Sequence, residues 1–145
     1  MICLVTKLQS VHINFFFNSE TPPPTKLKVR LHDQVKECQG SKAGQYLLQT
    51  DLINNTHHWI SKDGSKAIWW QKNLTEWIIG EATDIGTSQG GLIGPQGDDE
   101  MPHQITSGWK FADSSGIKEA APNEVVIQNL SQIDGEYLFE YCVDQ

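Results

Sequence analysis

The chain has 145 residues, 38% of them hydrophobic and 20% charged, which predicts one domain with a single core. Its formal net charge is −7 and its eleven Lys and Arg residues form no cluster, which argues against binding to nucleic acid or to an anionic membrane surface. No apolar run approaches the roughly 18 residues that cross a bilayer. The first residues lack the basic stretch of a signal peptide, so a secreted protein would have to be a mature or partial chain.

The N-terminal residues differ in character from the rest. Residues 1–17 are rich in strand formers and predict a β-prone arm, whereas residues 18–25 contain three consecutive prolines and predict a stiff spacer. Residues 26–145 then form the main domain. The arm either folds back as edge strands of its own domain or adds to the sheet of a neighbouring copy, and both alternatives stay open.

Beyond the spacer, short runs of strand formers alternate with turn residues. This pattern predicts an all-β fold, a single antiparallel β-sandwich-like domain of about seven to nine short strands. The predicted strands are residues 27–31, 45–49, 58–61, 67–71, 76–80, 108–111, 124–128 and 136–141. Asp63-Gly64 predicts a hairpin that continues into a three-strand meander. Residues 80–108 predict a long glycine-rich loop with a short strand at 91–93, and residues 117–121 predict one short helical turn.

Two patterns resemble catalytic or metal sites. Gly86-Thr87-Ser88-Gln89-Gly90 matches a nucleophile elbow, but that motif requires a strand, a helix and a large α/β domain, so a glycine turn explains it better. His57, His58 and His103, or the acidic residues 98–100, lack the spacing of a metal site. The sequence therefore predicts no enzyme, no catalytic residue, no metal and no cofactor.

Three N-glycosylation sequons begin at Asn54, Asn73 and Asn129, and none has a proline in its middle position. An acceptor must lie on an exposed segment of a secreted protein, so these sequons predict an extracellular or cell-surface glycoprotein. Asn73 is the best acceptor because it falls in a predicted turn between two strands.

The three cysteines are compatible with secretion. A Cys38–Cys142 disulfide would tie the two ends of the main domain and contribute on the order of 4 kcal/mol through loop closure. Cys3 would then be free or paired with another chain. The alternative is three buried thiols in a reduced protein.

Five tryptophans are candidates for the core or for a binding surface. Trp59, Trp77 and Trp109 are predicted to be in the core. Trp69 and Trp70 are adjacent in a predicted strand and must face opposite sides, so one of them lies outside the main core. That residue covers an edge or a second layer, or it contacts a ligand.

The spacing of glycines and aromatic residues between positions 38 and 128 resembles a small β-rich module that recurs in extracellular and multidomain proteins of invertebrates and protists. The positions that carry the resemblance are Gly44, Tyr46, Asn54, Asn55, Trp59, Gly64, Ile68, Trp70, Trp77, Ile79, Gly80, Gly91, Ile93, Pro102, Trp109, Phe111 and Asp113. The resemblance implies an interaction or structural domain without enzymatic activity.

The sequence thus predicts a non-catalytic, secreted structural or adhesive module that self-assembles head-to-tail through its arm. The alternative is a lectin-like module in which Trp69 or Trp70 stacks on a sugar and the glycine-rich loop bonds its hydroxyls. Its partners are accordingly other copies of the chain, extracellular proteins or glycans.

Overall fold

The computed structural model describes residues 22–97 and 100–131. The arm, residues 18–21 of the spacer and the predicted strand at 136–141 lie outside these residues. The described chain contains nine strands and one short α-helix. They are β1 (Lys26–Leu31), α1 (Asp33–Gln39), β2 (Gly44–Leu48), β3 (Trp59–Ser61), β4 (Lys66–Gln71), β5 (Glu76–Glu81), β6 (Leu92–Ile93), β7 (Lys110–Asp113), β8 (Gly116–Glu119) and β9 (Val125–Asn129).

All nine strands belong to one antiparallel sheet in the order β8-β7-β6-β5-β4-β3-β2-β1-β9. The all-β class and the number of strands are therefore confirmed. The strands form one continuous sheet that curls into a half-barrel, instead of two stacked sheets. Strands β1 to β8 pair in chain order, each with the next, and β9 crosses back to pair with β1.

Most predicted strands are found within one or two residues of their predicted ends, including the short strand β6. Two predictions of local structure fail. The helical turn predicted at 117–121 is wrong, because Gly116–Glu119 pairs with β7 as strand β8. Helix α1 was not predicted, since its seven residues make two turns and only Val35 is buried.

The predicted hairpin between β3 and β4 is confirmed. Gly64 has φ 81°, a backbone angle that a residue with a side chain rarely adopts. Asp63 stabilises the turn because its Oδ1 accepts hydrogen bonds from Ser61 Oγ at 2.7 Å and from Ser65 N at 2.9 Å. These bonds to the charged form lower the pKa of Asp63 to about 2.

The concave face of the sheet holds the main core. Trp59, Trp77 and Trp109 are all buried in it, which confirms their prediction as core residues. The rings of Trp59 and Trp77 lie 5.8 Å apart and are tilted by 59°. Every strand except β8 contributes to this core, as does α1; among its further members are Leu27, Val29, Tyr46, Ile68, Ile79, Leu92, Phe111, Val125 and Ile127.

A smaller cluster lies apart from the main core. It consists of Ala67, Trp69 and Ile78, and Ala82 and Ile85 pack against it. The 3₁₀ turn Ala82–Asp84 therefore belongs to a second, thinner layer.

Helix α1 is held against strands that are distant in sequence. Val35 N donates to Glu124 Oε2 at 3.3 Å, and Gln39 Nε2 donates to the carbonyl of Ala112 in β7 at 2.7 Å. The helix thus joins the start of β9 to β7. No helix in the described residues is long and apolar enough to cross a membrane.

Candidate functional site: the two edges of the sheet

The sheet ends in two strands, β8 and β9, that each pair with only one neighbour among the described residues. An edge strand presents backbone N–H and C=O groups that can pair with another segment. The two edges were not predicted, because the strand order depends on a pairing between β1 and β9 that local sequence does not reveal. They differ in length, burial and charge.

Strand β8 is exposed along its whole length. All four of its residues are exposed, and the Ile117 side chain has 56% of its surface in contact with solvent. Ala120 N donates to Trp109 O at 2.9 Å, so the backbone groups of Gly116 and Lys118 also face β7. The backbone groups of Ile117 and Glu119 therefore face away from the sheet.

The β8 edge carries charges of both signs. Lys118 Nζ lies 2.7 Å from Asp113 Oδ2 on β7. The hydrogen bond from Lys118 is the largest of the effects that lower the pKa of Asp113 to about 2, and Asp113 in turn raises the pKa of Lys118. Short length and charged side chains are the means by which natural edge strands resist pairing.

Strand β9 is the opposite kind of edge. Its five residues, Val125-Val126-Ile127-Gln128-Asn129, carry no charge, and Val125 and Ile127 are buried in the main core. His32 N donates to Glu124 O and Leu130 N donates to Lys26 O, which fixes the alternation of the β1–β9 ladder. In that alternation the backbone groups of positions 125, 127 and 129 face away from β1.

The chain that precedes β1 leads away from β9. Thr25 O accepts a hydrogen bond from Leu48 N of β2 at 3.0 Å. Pro24 is buried, and its carbonyl accepts a hydrogen bond of 2.7 Å from Trp59 Nε1 on β3. Pro24 and Thr25 therefore lie on the side of β1 that faces β2 and β3, whereas β9 lies on the other side of β1.

Asn73 has the most accessible of the three sequons. It is exposed in the turn between β4 and β5, far along the sheet from both edges. Thr75, the hydroxyl residue of this sequon, has φ 49°, which is unusual for a β-branched side chain. The hydroxyl of Thr75 donates to Leu74 O at 2.8 Å.

The other two sequons are more constrained. Asn54 is exposed, but its Nδ2, the atom that a glycan would join, donates to the carbonyl of Trp70 at 3.0 Å. Asn129 is half-buried at the end of β9, and its Oδ1 accepts hydrogen bonds from Ser131. The bond at Asn54 involves the Nδ2 that a glycan would join, whereas the bonds at Asn129 involve its Oδ1.

The two tryptophans that were predicted as ligand contacts occupy different layers, as their adjacency requires. Trp69 is fully buried in the small cluster and its Nε1 donates to the carbonyl of Thr87 at 2.9 Å. Trp70 is half-buried, packs against the main core and makes an edge contact with Trp77 at 5.3 Å. Trp69 therefore offers no surface to a ligand, and only Trp70 keeps one.

Cys38 is exposed on α1. It lies in the neighbourhood of Lys118 on β8. Cys3 and Cys142 are outside the described residues, so the Cys38–Cys142 disulfide remains a prediction.

Several buried polar groups lie away from the edges. Tyr46 Oη donates to Lys42 O at 2.6 Å, and burial lowers the pKa of Lys42 while it raises that of Tyr46. His58 Nε2 is 3.9 Å from Asp51 Oδ1, and burial lowers the pKa of His58. Throughout residues 22–97 and 100–131, no three His, Cys, Asp or Glu side chains are grouped so that they could hold a metal ion.

Searches with the chain against protein-family models, curated proteins and solved structures gave no match. The edges of the sheet must therefore be interpreted from their own geometry.

Proposed function

We propose that this protein is a non-catalytic structural or adhesive module of the extracellular space, which self-associates head-to-tail. In this assembly residues 1–17 of one copy add as a strand to an open sheet edge of the next. The observation that carries the proposal is the single curled sheet with two edges that the described residues leave unpaired.

Strand addition suits such a surface because backbone hydrogen bonds give affinity and alternating side chains give register. The arm supplies the matching partner, since residues 1–17 are rich in strand formers and apolar side chains. Contacts of one surface with a different surface do not close by two-fold symmetry, so they build chains or filaments.

The contacts of Pro24 and Thr25 favour an arm that pairs with a neighbouring copy over an arm that folds back onto its own sheet. Pro24 and Thr25 are bound to β3 and β2, so an arm that returned to its own β9 edge would have to reverse past β1. Three consecutive prolines resist such a reversal because each fixes φ near −65°. An arm that pairs with a neighbouring copy does not have to reverse its direction.

The accessible sequon is compatible with assembly. A glycan at Asn73 would project from the β4–β5 turn and would not cover either edge strand. It would limit sideways aggregation of a sheet-rich protein. Intact mass of the protein from its natural source, before and after enzymatic removal of N-glycans, tests secretion, and a mass equal to the bare chain would contradict it.

Assembly is tested by sedimentation velocity of the full chain against the variant Ile13→Asp, which places a charge in the arm. We expect the full chain to form species larger than a monomer as its concentration rises, and Ile13→Asp to stay monomeric. Ser19→Asp, in the spacer, is the matched control and should assemble like the unmodified chain. Equal assembly of all three proteins would refute head-to-tail association through the arm.

A further inference from the structure

Trp70 is the tryptophan that the fold leaves partly uncovered. The other four tryptophans are at most 3% exposed, whereas Trp70 is half-buried at the margin of the main core. The indole N–H groups of Trp59, Trp69 and Trp77 each donate to a backbone carbonyl. Among the described residues, no acceptor is bound to the indole N–H of Trp70. An accessible indole with a free donor can hold a ligand that combines an apolar face with polar groups.

A tight hairpin presents the Asn54 sequon next to this tryptophan. Ile53 N donates to Thr56 O at 3.0 Å and Thr56 N donates to Ile53 O at 2.9 Å, so two residues form the turn. These residues, Asn54 and Asn55, have φ 52° and 61°. A type I′ turn requires positive φ at both central positions and favours Asn there. The Asn54 side chain therefore starts from a fixed backbone.

Asn54 binds the backbone of Trp70 at the point where strand β3 has ended. Ala82 N donates to Ser65 O across β4 and β5, so in the alternation of β4 the backbone groups of Trp70 face the β3 side. The pairing of β3 with β4 reaches only as far as Ile68. Asn54 Nδ2 donates to the carbonyl of Trp70 at 3.0 Å and thus takes the place of a strand partner. The nitrogen that a glycan would join is held one hydrogen bond away from Trp70.

The face of the sheet opposite the main core is already covered at this hairpin. Trp69 Nε1, on that face, donates to the carbonyl of the residue after Gly86. Ile53 Cγ2 lies 3.8 Å from the position that a Cβ on Gly86 would take, so the same loop also lies beside the hairpin. A substituent on Asn54 Nδ2 is therefore directed toward the concave face, where Trp70 packs against the main core.

We propose that Asn54 carries an N-glycan whose first N-acetylglucosamine packs against the indole of Trp70. This inference rests on the proposed extracellular function. In the attachment, Nδ2 forms a bond to C1 of the sugar while the C1–O bond to a lipid diphosphate donor breaks, and one amide proton is released with the diphosphate.

The hydrogen bond to Trp70 is compatible with this modification. An Asn amide has two N–H groups, so the one that remains after attachment can still donate to the Trp70 carbonyl. That bond orients the sugar beside the indole. The packing costs little conformational entropy, because the turn and the strand already hold both partners in place.

Acrylamide quenching of tryptophan fluorescence tests the packing, because Trp70 is the most accessible of the five tryptophans. The full chain is produced in a eukaryotic secretory host, and its glycans are trimmed enzymatically to single N-acetylglucosamine residues. We expect its quenching constant to be roughly half that of Thr56→Ala, which removes the sequon and keeps Asn54. Thr75→Ala, which removes the sequon of Asn73, is the matched control and should quench like the unmodified glycoprotein.

Peptide mapping of the same proteins shows which sequons carry a sugar. Asn54 without a sugar, or with a sugar and unchanged quenching, would overturn the proposal. NMR gives a second readout, since the indole ring current should shift the sugar protons upfield, and Trp70→Leu should abolish that shift. An upfield shift that persists in Trp70→Leu would assign the contact to another aromatic residue and overturn the proposal.

A free sugar distinguishes the glycan of this chain from a foreign one. The probe is diacetylchitobiose added to Thr56→Ala. If it protects the fluorescence as the attached sugar does, Trp70 belongs to a site for foreign glycans and the proposal fails. The proposed function fails separately: a bare mass of the protein from its natural source would contradict secretion and with it both proposals. Failed packing with Asn73 occupied would overturn this proposal alone.

Discussion

The two edge strands of the sheet, β8 and β9, differ in length, exposure and charge. Strand β8 is short and fully exposed, and it places Lys118 and Glu119 where a foreign strand would approach. Strand β9 is longer and uncharged, and two of its side chains are part of the main core. The first edge limits its own pairing by charge, whereas the second requires a partner to satisfy its backbone.

The largest expected difference between the edges is in stability. Ile127→Ala removes a buried side chain of β9 and leaves a cavity, so we expect a loss of about 2–4 kcal/mol in the free energy of unfolding. Ile117→Ala, the same change on β8, removes an exposed side chain and should cost less than about 0.5 kcal/mol. Urea denaturation of both variants measures the difference. Equal losses would mean that β8 is covered by another part of the protein.

A smaller effect tests which backbone groups of β8 face β7. Lys118→Pro removes an N–H that pairs with β7 and leaves a carbonyl of β7 without its donor, so we expect it to destabilise the protein by about 1–3 kcal/mol. Glu119→Pro removes an N–H that faces outward, and it should cost about 1 kcal/mol or less. Thermal unfolding of the two variants compares them. The reverse order would show that the alternation inferred from Ala120 N and Trp109 O is shifted by one residue.

The strands of the sheet could be predicted because their signals are local. The meander from β3 to β5 could be predicted from a glycine turn between runs of Trp and Ile. Its strands are consecutive in sequence, so their pairing does not depend on residues far along the chain. Strand β8 gave no such signal, since all four residues are exposed and no alternation of apolar and polar side chains exists. Its strand conformation comes from pairing with β7.

Helix α1 and the edges of the sheet could not be predicted, because both depend on contacts between residues that are distant in sequence. The helix is stabilised by Glu124, which lies 89 residues beyond Val35 in sequence and accepts hydrogen bonds from Val35 N and Ala121 N. That carboxylate is buried only because β9 pairs with β1. The candidate site depends on the same non-local pairing, so residues 125–129 could be identified as a strand but not as an edge.

The smallest expected effect concerns the charge pair that protects β8. The hydrogen bond from Lys118, followed by those from Ser115, lowers the pKa of Asp113 from 3.8 to about 2. Because the folded-state pKa is the lower one, the unfolded chain binds more protons between these values. The pair therefore stabilises the fold above pH 3.8, and its contribution is lost as the pH falls through about 2.

Urea denaturation of the unmodified chain and of Asp113→Asn between pH 2 and pH 6 checks this sign. We expect the unmodified chain to be more stable at pH 6 and the difference to shrink below pH 3.8. Asp63→Asn is the comparison, since its carboxylate is held by serine hydrogen bonds at a turn remote from β8. If Asp113→Asn also leaves assembly unchanged, charge does not limit pairing at β8. If instead the variant forms larger species than the unmodified chain, the Lys118–Asp113 pair is what keeps this edge closed to strands.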